Sequence, residues 1–163
     1  MATVNGTSGD NALTGTSNAD TINGLAGNDT ITAGAGNDIL KGGEDNDVYR
    51  VGAGSGYDTY SDTGKAGTDR IVAIADNFFI GLKSGFGPAS GIEEISANGH
   101  VGVTIRSEAT NDKLDFSTVQ LTGIASINGG AGNDSIIGSA GADTIVGSTG
   151  NDVLNGGLAA TPI

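Results

Sequence analysis

Cysteine and tryptophan are absent from the 163-residue sequence, which also contains only one histidine and two prolines. Without cysteine the chain forms neither disulfides nor thiolate metal sites. With a single histidine it also lacks the imidazole ligands that zinc and other transition metals prefer. The interactions that hold the fold together must therefore come from other side chains.

Positive charge is scarce and confined to one part of the sequence. All seven basic residues lie between Lys41 and Lys113, against 19 acidic residues, and the formal net charge is −12. This balance argues against a nucleic acid or an anionic membrane as partner. No run of 18 apolar residues is present, so we expect no membrane span. The first ten residues have neither the basic nor the apolar region of a secretory signal peptide.

Glycine, in contrast, is abundant at 30 residues, and much of it recurs with a period of nine. Five nine-residue units follow one another from Gly6, and three more begin at Gly129. The sixth place of these units holds Asn11, Asp20, Asp29, Asp38, Asp47, Asp134, Asp143 and Asp152. The eighth place holds Leu13, Ile22, Ile31, Leu40, Tyr49, Ile136, Ile145 and Leu154. Disorder or simple turn propensity of Asp would not explain a period in both the acidic and the apolar residue.

A nine-residue unit is too short for a helical repeat but fits a turn followed by a short strand. Two such units make one full coil, and stacked coils pair their strands in parallel and bury the eighth-place residues. We therefore predict an all-β fold, a parallel β-roll or β-solenoid. Two nonapeptide blocks are expected, residues 1–62 with an exit segment and residues 129–163 with a tail. A β-rich spacer, residues 63–128, continues the solenoid between them.

The same stacking places sixth-place carboxylates one rung apart, about 4.7–4.9 Å. A cation with oxygen ligands at about 2.3–2.6 Å fits that gap, as Ca²⁺ does, whereas Mg²⁺ requires shorter bonds and retains its waters. The predicted side-chain ligands are the eight sixth-place residues together with Asp58 and Asp112, of which Asp112 is a degenerate unit beneath Asp134. The turn glycines assigned to the same sites are Gly24, Gly27, Gly34, Gly36, Gly43, Gly130, Gly132, Gly141 and Gly150.

Stacking also ranks the aspartates. Asp29 lies between Asn11 and Asp47 on one side of the coil and is expected to serve two ions. Asp143 has no aspartate one coil away on its side, where Ala125 and Thr161 stand. It is expected to serve a site with at most one carboxylate, or none.

The unit GGAGNDSII, residues 129–137, and its relatives resemble the repeats-in-toxin (RTX) nonapeptide GGxGxDxUx, in which U is a large apolar residue. The resemblance covers about 45 residues of the first block and 27 of the second. It implies a parallel β-roll, several bound calcium ions, export by a type I exporter and calcium-driven folding outside the cell. Weaker sites are expected where the units depart from this pattern. The sixth-place Asp is replaced by Asn11, and the fourth-place Gly is replaced by Asn18 and Asp45.

All seven aromatic residues lie in the middle of the chain, and they leave two interpretations open. They are Tyr49, Tyr57, Tyr60, Phe78, Phe79, Phe86 and Phe116. In one interpretation they bind an extracellular polysaccharide, as in a carbohydrate-binding or adhesive module on the same calcium-stabilised scaffold. In the other they fill a wider core and cover a solenoid end, which we favour because tryptophan is absent and phenylalanine needs burial.

An enzyme is the third class, and the candidate catalytic residues argue against it. Glu93 and Glu94 are adjacent in a predicted strand, so their side chains point to opposite faces and do not share a site for glycoside chemistry. His100 lies in a glycine-flanked turn, where a surface role is expected. We therefore predict a non-enzymatic, secreted or cell-surface protein that binds calcium.

Overall fold

The structure, a computed structural model, describes residues 1–62, 64 and 66–157, and the tail of the predicted second block, residues 158–163, lies outside this range. The described residues form 17 short β-strands and one turn of 3-10 helix at Pro88–Ser90. None of their helices has the length and apolarity needed to cross a lipid bilayer.

The strands are β1 (Thr3–Asn5), β2 (Ala12–Thr14), β3 (Thr21–Ala26), β4 (Thr30–Thr32), β5 (Ile39–Glu44), β6 (Val48–Val51), β7 (Tyr57–Tyr60), β8 (Arg70–Ala73), β9 (Phe79–Leu82), β10 (Glu94–Ser96), β11 (Thr104–Ser107), β12 (Lys113–Asp115), β13 (Gln120–Thr122), β14 (Ile127–Asn128), β15 (Ser135–Ile137), β16 (Ile145–Val146) and β17 (Val153–Asn155).

The strands form a parallel β-solenoid, which confirms the predicted fold class. An eight-stranded sheet has the order β1-β3-β5-β7-β9-β11-β14-β16, and a six-stranded sheet has the order β13-β10-β8-β6-β4-β2. In the first block each strand pairs with the next but one in sequence, so successive strands lie on opposite sides of the coil. Ile22 pairs with Val4 and with Leu40, two nonapeptide units away in each direction, as the period requires.

The coils widen towards the middle of the chain and narrow again after it. The sequence distance between paired residues grows from Val48 with Arg70 to Arg70 with Glu94, and is larger still for Glu94 with Gln120. The last pairs, such as Ser135 with Val153, return to the two-unit distance of the first block. Strand pairing is parallel throughout the described residues, so the spacer continues the solenoid with wider coils.

A third sheet appears near the end of the spacer, and the sequence did not predict it. Strand β13 closes the six-stranded sheet, while β12 begins a separate three-stranded sheet with β15 and β17. The coil between β11 and β14 therefore has an additional strand. The second nonapeptide block continues the eight-stranded sheet on one side but stacks on the new sheet on the other.

The eighth-place residues form the core, as predicted, except at the last coil. Leu13, Ile22, Ile31, Leu40, Tyr49 and Ile136 are buried. Ile145 is half-buried, however, and Leu154 is 45% exposed. Both lie in the last strands of the described residues, where no further described coil is stacked on them, so the prediction that every eighth-place residue is buried was wrong there.

Aromatic side chains fill the wider coils of the spacer. Tyr49 and Tyr60 pack edge to face with ring centroids 5.3 Å apart, and the rings of Phe86 and Phe116 lie 5.5 Å apart. Phe78 is buried as well. The two remaining aromatic rings, Tyr57 and Phe79, lie half-buried on the outer face. Five of the seven aromatic residues therefore belong to the core, the interpretation that the sequence favoured.

The contrast between buried and exposed eighth-place residues is testable with Ile31→Ala and Leu154→Ala. Ile31 is fully buried, so its truncation leaves a cavity and should lower the free energy of unfolding by about 2–5 kcal/mol. Leu154→Ala should cost about 1 kcal/mol, because much of that side chain is already in water. Urea unfolding at saturating calcium, followed by circular dichroism, measures both. Equal losses would contradict the assigned core.

Candidate metal centre

Most of the predicted carboxylate ligands lie beneath the turns, out of contact with solvent, whereas Asp143 and Asp152 are half-buried. Asp20, Asp29, Asp38 and Asp47 are at most 1% exposed, and Asp58, Asp112 and Asp134 are buried too. Each of them except Asp58, which lies within β7, directly precedes a strand whose next inward residue enters the core. Burying an ionised carboxylate is costly unless hydrogen bonds or a cation compensate it.

One oxygen of most of these carboxylates accepts a hydrogen bond from the preceding coil. The backbone N–H of Asn11 donates to Oδ1 of Asp29 at 2.8 Å, and the N–H of Asp29 donates to Oδ1 of Asp47 at 2.7 Å. The N–H of Asp20 likewise donates to Oδ1 of Asp38 at 2.7 Å. These contacts order the carboxylates into rows in which each member after the first accepts a hydrogen bond from the coil before it.

Three such rows run along the solenoid, and each of them includes at least one step longer than two nonapeptide units. Row 1 is Asn11, Asp29, Asp47, Asp69 and Glu93. Row 2 is Asp20, Asp38 and Asp58. Row 3 is Asp112, Asp134 and Asp152. The structure thus brings together nine of the ten predicted side-chain ligands.

The second oxygen of many row members has no partner among the described residues. The buried atoms without a hydrogen bond include Oδ2 of Asp29, Asp38, Asp47, Asp58, Asp112 and Asp134. A buried carboxylate oxygen without a donor is strongly unfavourable unless another group satisfies it. All six of these residues are predicted metal ligands, so the unsatisfied atoms and the predicted sites coincide.

The space in front of these oxygens is lined by oxygen and kept open by glycine. A Cβ built on Gly24 would collide with Oδ2 of Asp29 and with the carbonyl oxygen of Gly42 in the next coil. A Cβ on Gly129 would collide with Oδ2 of Asp134. Carboxylate and carbonyl oxygens are the ligands that hard cations such as Ca²⁺ take. The residues present therefore fit a calcium ion in each of these spaces.

The electrostatics of the rows call for a cation. Burial raises the pKa values of the Asp29 and Asp38 carboxyl groups above the usual value for aspartate. Burial, with neighbouring carboxylates adding to it, raises the pKa of Asp47, Asp58 and Asp69 to about 7. The side-chain ion pairs of the described residues are Arg70–Glu94, Lys83–Glu108 and His100–Asp76, none of which involves a row member.

Three predicted ligands have a side-chain oxygen satisfied by protein groups instead. Oδ1 of Asn11 accepts hydrogen bonds from the N–H and the hydroxyl of Thr7. Oδ2 of Asp20 accepts hydrogen bonds from the N–H and the hydroxyl of Thr16, each at 2.7 Å, and these bonds hold the pKa of Asp20 below its usual value. Asp143 belongs to none of the three rows, and its Oδ2 accepts from the N–H and the hydroxyl of Ser139. The structure thus places Asp143 apart from the other predicted ligands.

The predicted glycines divide in a similar way. Backbone φ is positive at Gly27, Gly34, Gly36, Gly43, Gly130, Gly132 and Gly150. Gly24 lines the space beside Asp29, as described above. Gly141 has neither property, since its φ lies outside the left-handed region and a Cβ there would meet only the Ser139 hydroxyl, at 3.4 Å. Like Asp143 in the same unit, Gly141 is not part of an oxygen-lined space.

Sequence reasoning missed Asp69, Glu93 and Asp62 as members of this system. Asp69 follows a glycine by two places and precedes Ile71 by two, the same local pattern as around Asp29, so a search that ignored the period would have found it. Glu93 has that pattern with one additional methylene. Asp62 has no such signal, because it reaches the row from another strand's end.

Comparison with protein families finds the RTX calcium-binding nonapeptide repeat in four copies, at residues 5–40, 14–49, 24–59 and 122–159. Together the copies span residues 5–59 and 122–159, more than half of the chain. No curated protein and no solved structure matches the chain. The matched repeats bind Ca²⁺, the ion that fits the oxygen-lined spaces beside rows 1 and 3.

Asp29→Ala and Asp143→Ala test the ranking of the carboxylates. Asp29 presents an unpaired oxygen in the middle of row 1, whereas Asp143 is bonded within its own turn. Asp29→Ala should lose more calcium in titration calorimetry and more thermal stability at fixed calcium. Each ion lost removes about 2.7 kcal/mol at a hundredfold excess over Kd. An equal or larger loss in Asp143→Ala would contradict the row assignment.

The raised pKa values predict opposite pH dependences with and without calcium. Between about pH 4 and pH 7 the folded chain without calcium holds more protons than the unfolded chain, so its stability should fall as pH rises. With calcium, stability should rise over the same interval, because the ion requires deprotonated carboxylates. Circular dichroism at pH 5 and pH 7.5 measures the folded fraction in EDTA, and thermal melts at the same two pH values measure stability in calcium. A larger folded fraction at pH 7.5 than at pH 5 in EDTA would refute the prediction.

Proposed function

The chain belongs to the family of RTX calcium-binding nonapeptide repeats, and from this premise we propose that it is a calcium-folded module of a larger exported protein. The single observation that carries the proposal is the set of buried Oδ2 atoms that have no hydrogen-bond partner in the described part of the chain. They face spaces in which a cation supplies the missing interaction. The nonapeptide blocks, residues 1–62 and 129–163, carry most of these sites, and the spacer connects them.

In this proposal, calcium binding supplies most of the free energy of folding. The two ends of the chain, residues 1–40 and 114–163, contain aspartate but no lysine or arginine, so their carboxylates repel one another when no cation is bound. Ordering so many glycines is entropically costly, and a core one side chain wide offsets little of that cost. The free energy of calcium binding is then the free energy of folding.

Dependence on calcium also accounts for the proposed location. Calcium-binding modules that act outside cells have dissociation constants of about 10⁻⁴–10⁻³ M, well above resting cytosolic calcium. A module in that range stays unfolded in the cell and folds after export. The role proposed is structural and not catalytic, because the buried carboxylates point at ligand spaces and Glu93 and Glu94 make separate contacts, with Asp69 and Arg70.

Circular dichroism in EDTA, and again in millimolar calcium, tests the proposal. We expect little β-structure in EDTA and a cooperative gain on adding calcium, while the same concentration of magnesium should be much less effective because Mg²⁺ needs shorter bonds. A β-rich spectrum that is unchanged in EDTA would overturn calcium-driven folding. A dissociation constant below micromolar would instead overturn folding after export, since the chain would then fold inside the cell.

A further inference from the structure

Where the first block passes into the spacer, row 1 gains a carboxylate that does not belong to the row. Asp47 and Asp69 are consecutive row members, and Asp62 reaches them from the segment after β7. Each of the three offers an oxygen, and these oxygens all lie within 4.8 Å of one another. All three residues are buried. Asp62 and Asp69 lie beyond residue 59, outside the family matches.

Two of these oxygens point into one space, which Gly42 leaves open. A Cβ built on Gly42 would collide with Oδ2 of Asp47 and would lie 2.5 Å from Oδ2 of Asp62. Asp47 is completely buried, and its Oδ2 has no hydrogen-bond partner among the residues that the structure describes. This unsatisfied atom is the observation, independent of the clustering of acids, that indicates a bound ligand.

The space differs from its counterpart one coil earlier. Beside Gly24, the oxygen opposite Oδ2 of Asp29 is the backbone carbonyl of Gly42. Beside Gly42, the corresponding position is taken by the carboxylate of Asp62. A neutral backbone ligand is therefore replaced by a charged side chain, and the space gains one negative charge.

Tyr49 holds Asp62 in this position. It is the only tyrosine among the eighth-place residues, where the other units have Ile or Leu. Its hydroxyl accepts a hydrogen bond from the N–H of Gly42 at 2.6 Å and donates to Oδ2 of Asp62 at 3.0 Å. The N–H of Gly64 donates to Oδ1 of Asp62 at 3.1 Å. The carboxylate is thus fixed by the core of one coil and by its own turn.

We propose that Asp47, Asp62 and Asp69 form a cation site outside the nonapeptide pattern, which takes a hard divalent cation of the calcium class more tightly than the repeat sites do. The proposal rests on the proposed calcium-dependent function, but it concerns a site that the repeat does not define. Three carboxylates favour a hard cation over metals that prefer imidazole or thiolate, and their spacing suits metal–oxygen bonds of about 2.3–2.6 Å. Two members come from the row and the third from the exit segment, so a bound ion joins the first block to the spacer.

Calcium counting by equilibrium dialysis of the full chain tests the site. Asp62→Asn should bind one calcium ion fewer than the unaltered chain, and the lost ion should be the one that saturates first. Glu44→Gln is the matched control, because it removes one negative charge from an exposed position in the same coil. It should leave the count unchanged. Asp152→Asn, in row 3, should lose a later-saturating ion.

Terbium emission excited through tyrosine locates the ion. The chain has three tyrosines, and Tyr57→Phe with Tyr60→Phe leaves Tyr49 as the sole antenna. Tyr60→Phe keeps the ring that packs against Tyr49, so the core around the remaining tyrosine should be preserved. Tb³⁺, an oxygen-seeking substitute for Ca²⁺, should give emission at the first equivalent. Adding Asp62→Asn should abolish most of that emission, whereas Asp152→Asn should leave it unchanged.

The outcomes separate this site from the wider function. If the unaltered chain binds no calcium, the proposed function fails. If it binds calcium, and Asp62→Asn keeps the same count, affinity and emission, only the additional site is overturned. Circular dichroism at saturating calcium checks that Asp62→Asn folds. If it does not, Asp69→Asn is measured in its place, and full first-equivalent emission from that variant would equally overturn the site.

Discussion

The hydrogen bond from a backbone N–H of one coil to a buried carboxylate of the next is the interaction on which this fold depends. It fixes one carboxylate oxygen and turns the other towards a space lined by oxygen, as at Asp29. Because no described residue donates to that second oxygen, the row is complete only with a cation. The glycine that leaves this space open and the calcium binding of the family's repeats both fit this single contact.

The carboxylate rows persist where the coil itself does not stay regular. The bond from Asp38 to Asp58 spans 20 residues and that from Asp47 to Asp69 spans 22, yet their lengths match those within the strict repeat. Additional residues are therefore accommodated in loops elsewhere on the coil, while the rung spacing at the rows is kept. The wider coils need more core volume, which Tyr60, Phe86 and Phe116 supply.

Much of the fold and of the site was predictable because both follow from a local period. The sequence of each unit is sufficient to predict its strand, its inward-facing residue and its carboxylate. Nine of the ten predicted side-chain ligands lie in the rows. The period does not indicate where along the solenoid a given unit lies. Leu154 has the same local sequence signal as Ile31 but no described coil above it, and the third sheet depends on how a longer coil is routed. Asp62 lies beside row 1 through tertiary packing alone, so no local sequence pattern predicts it.

The direction of the row contacts makes the two ends of the solenoid chemically unequal. Each coil supplies a carboxylate that accepts a hydrogen bond from the coil before it, and the preceding coil contributes only a backbone N–H. The first coil can therefore have almost any residue at the row position, as Ala2 shows by donating its N–H to Oδ1 of Asp20 at 2.6 Å. Asn11, the first member of row 1, likewise takes part through its backbone N–H, which donates to Oδ1 of Asp29. Each coil is therefore directional, with a carboxylate acceptor for the coil before it and an N–H donor for the coil after it. A duplicated coil inserted within a block contributes its own carboxylate, and the N–H donors of the neighbouring coils keep acceptors. Gene duplication can lengthen such an array without redesigning either end.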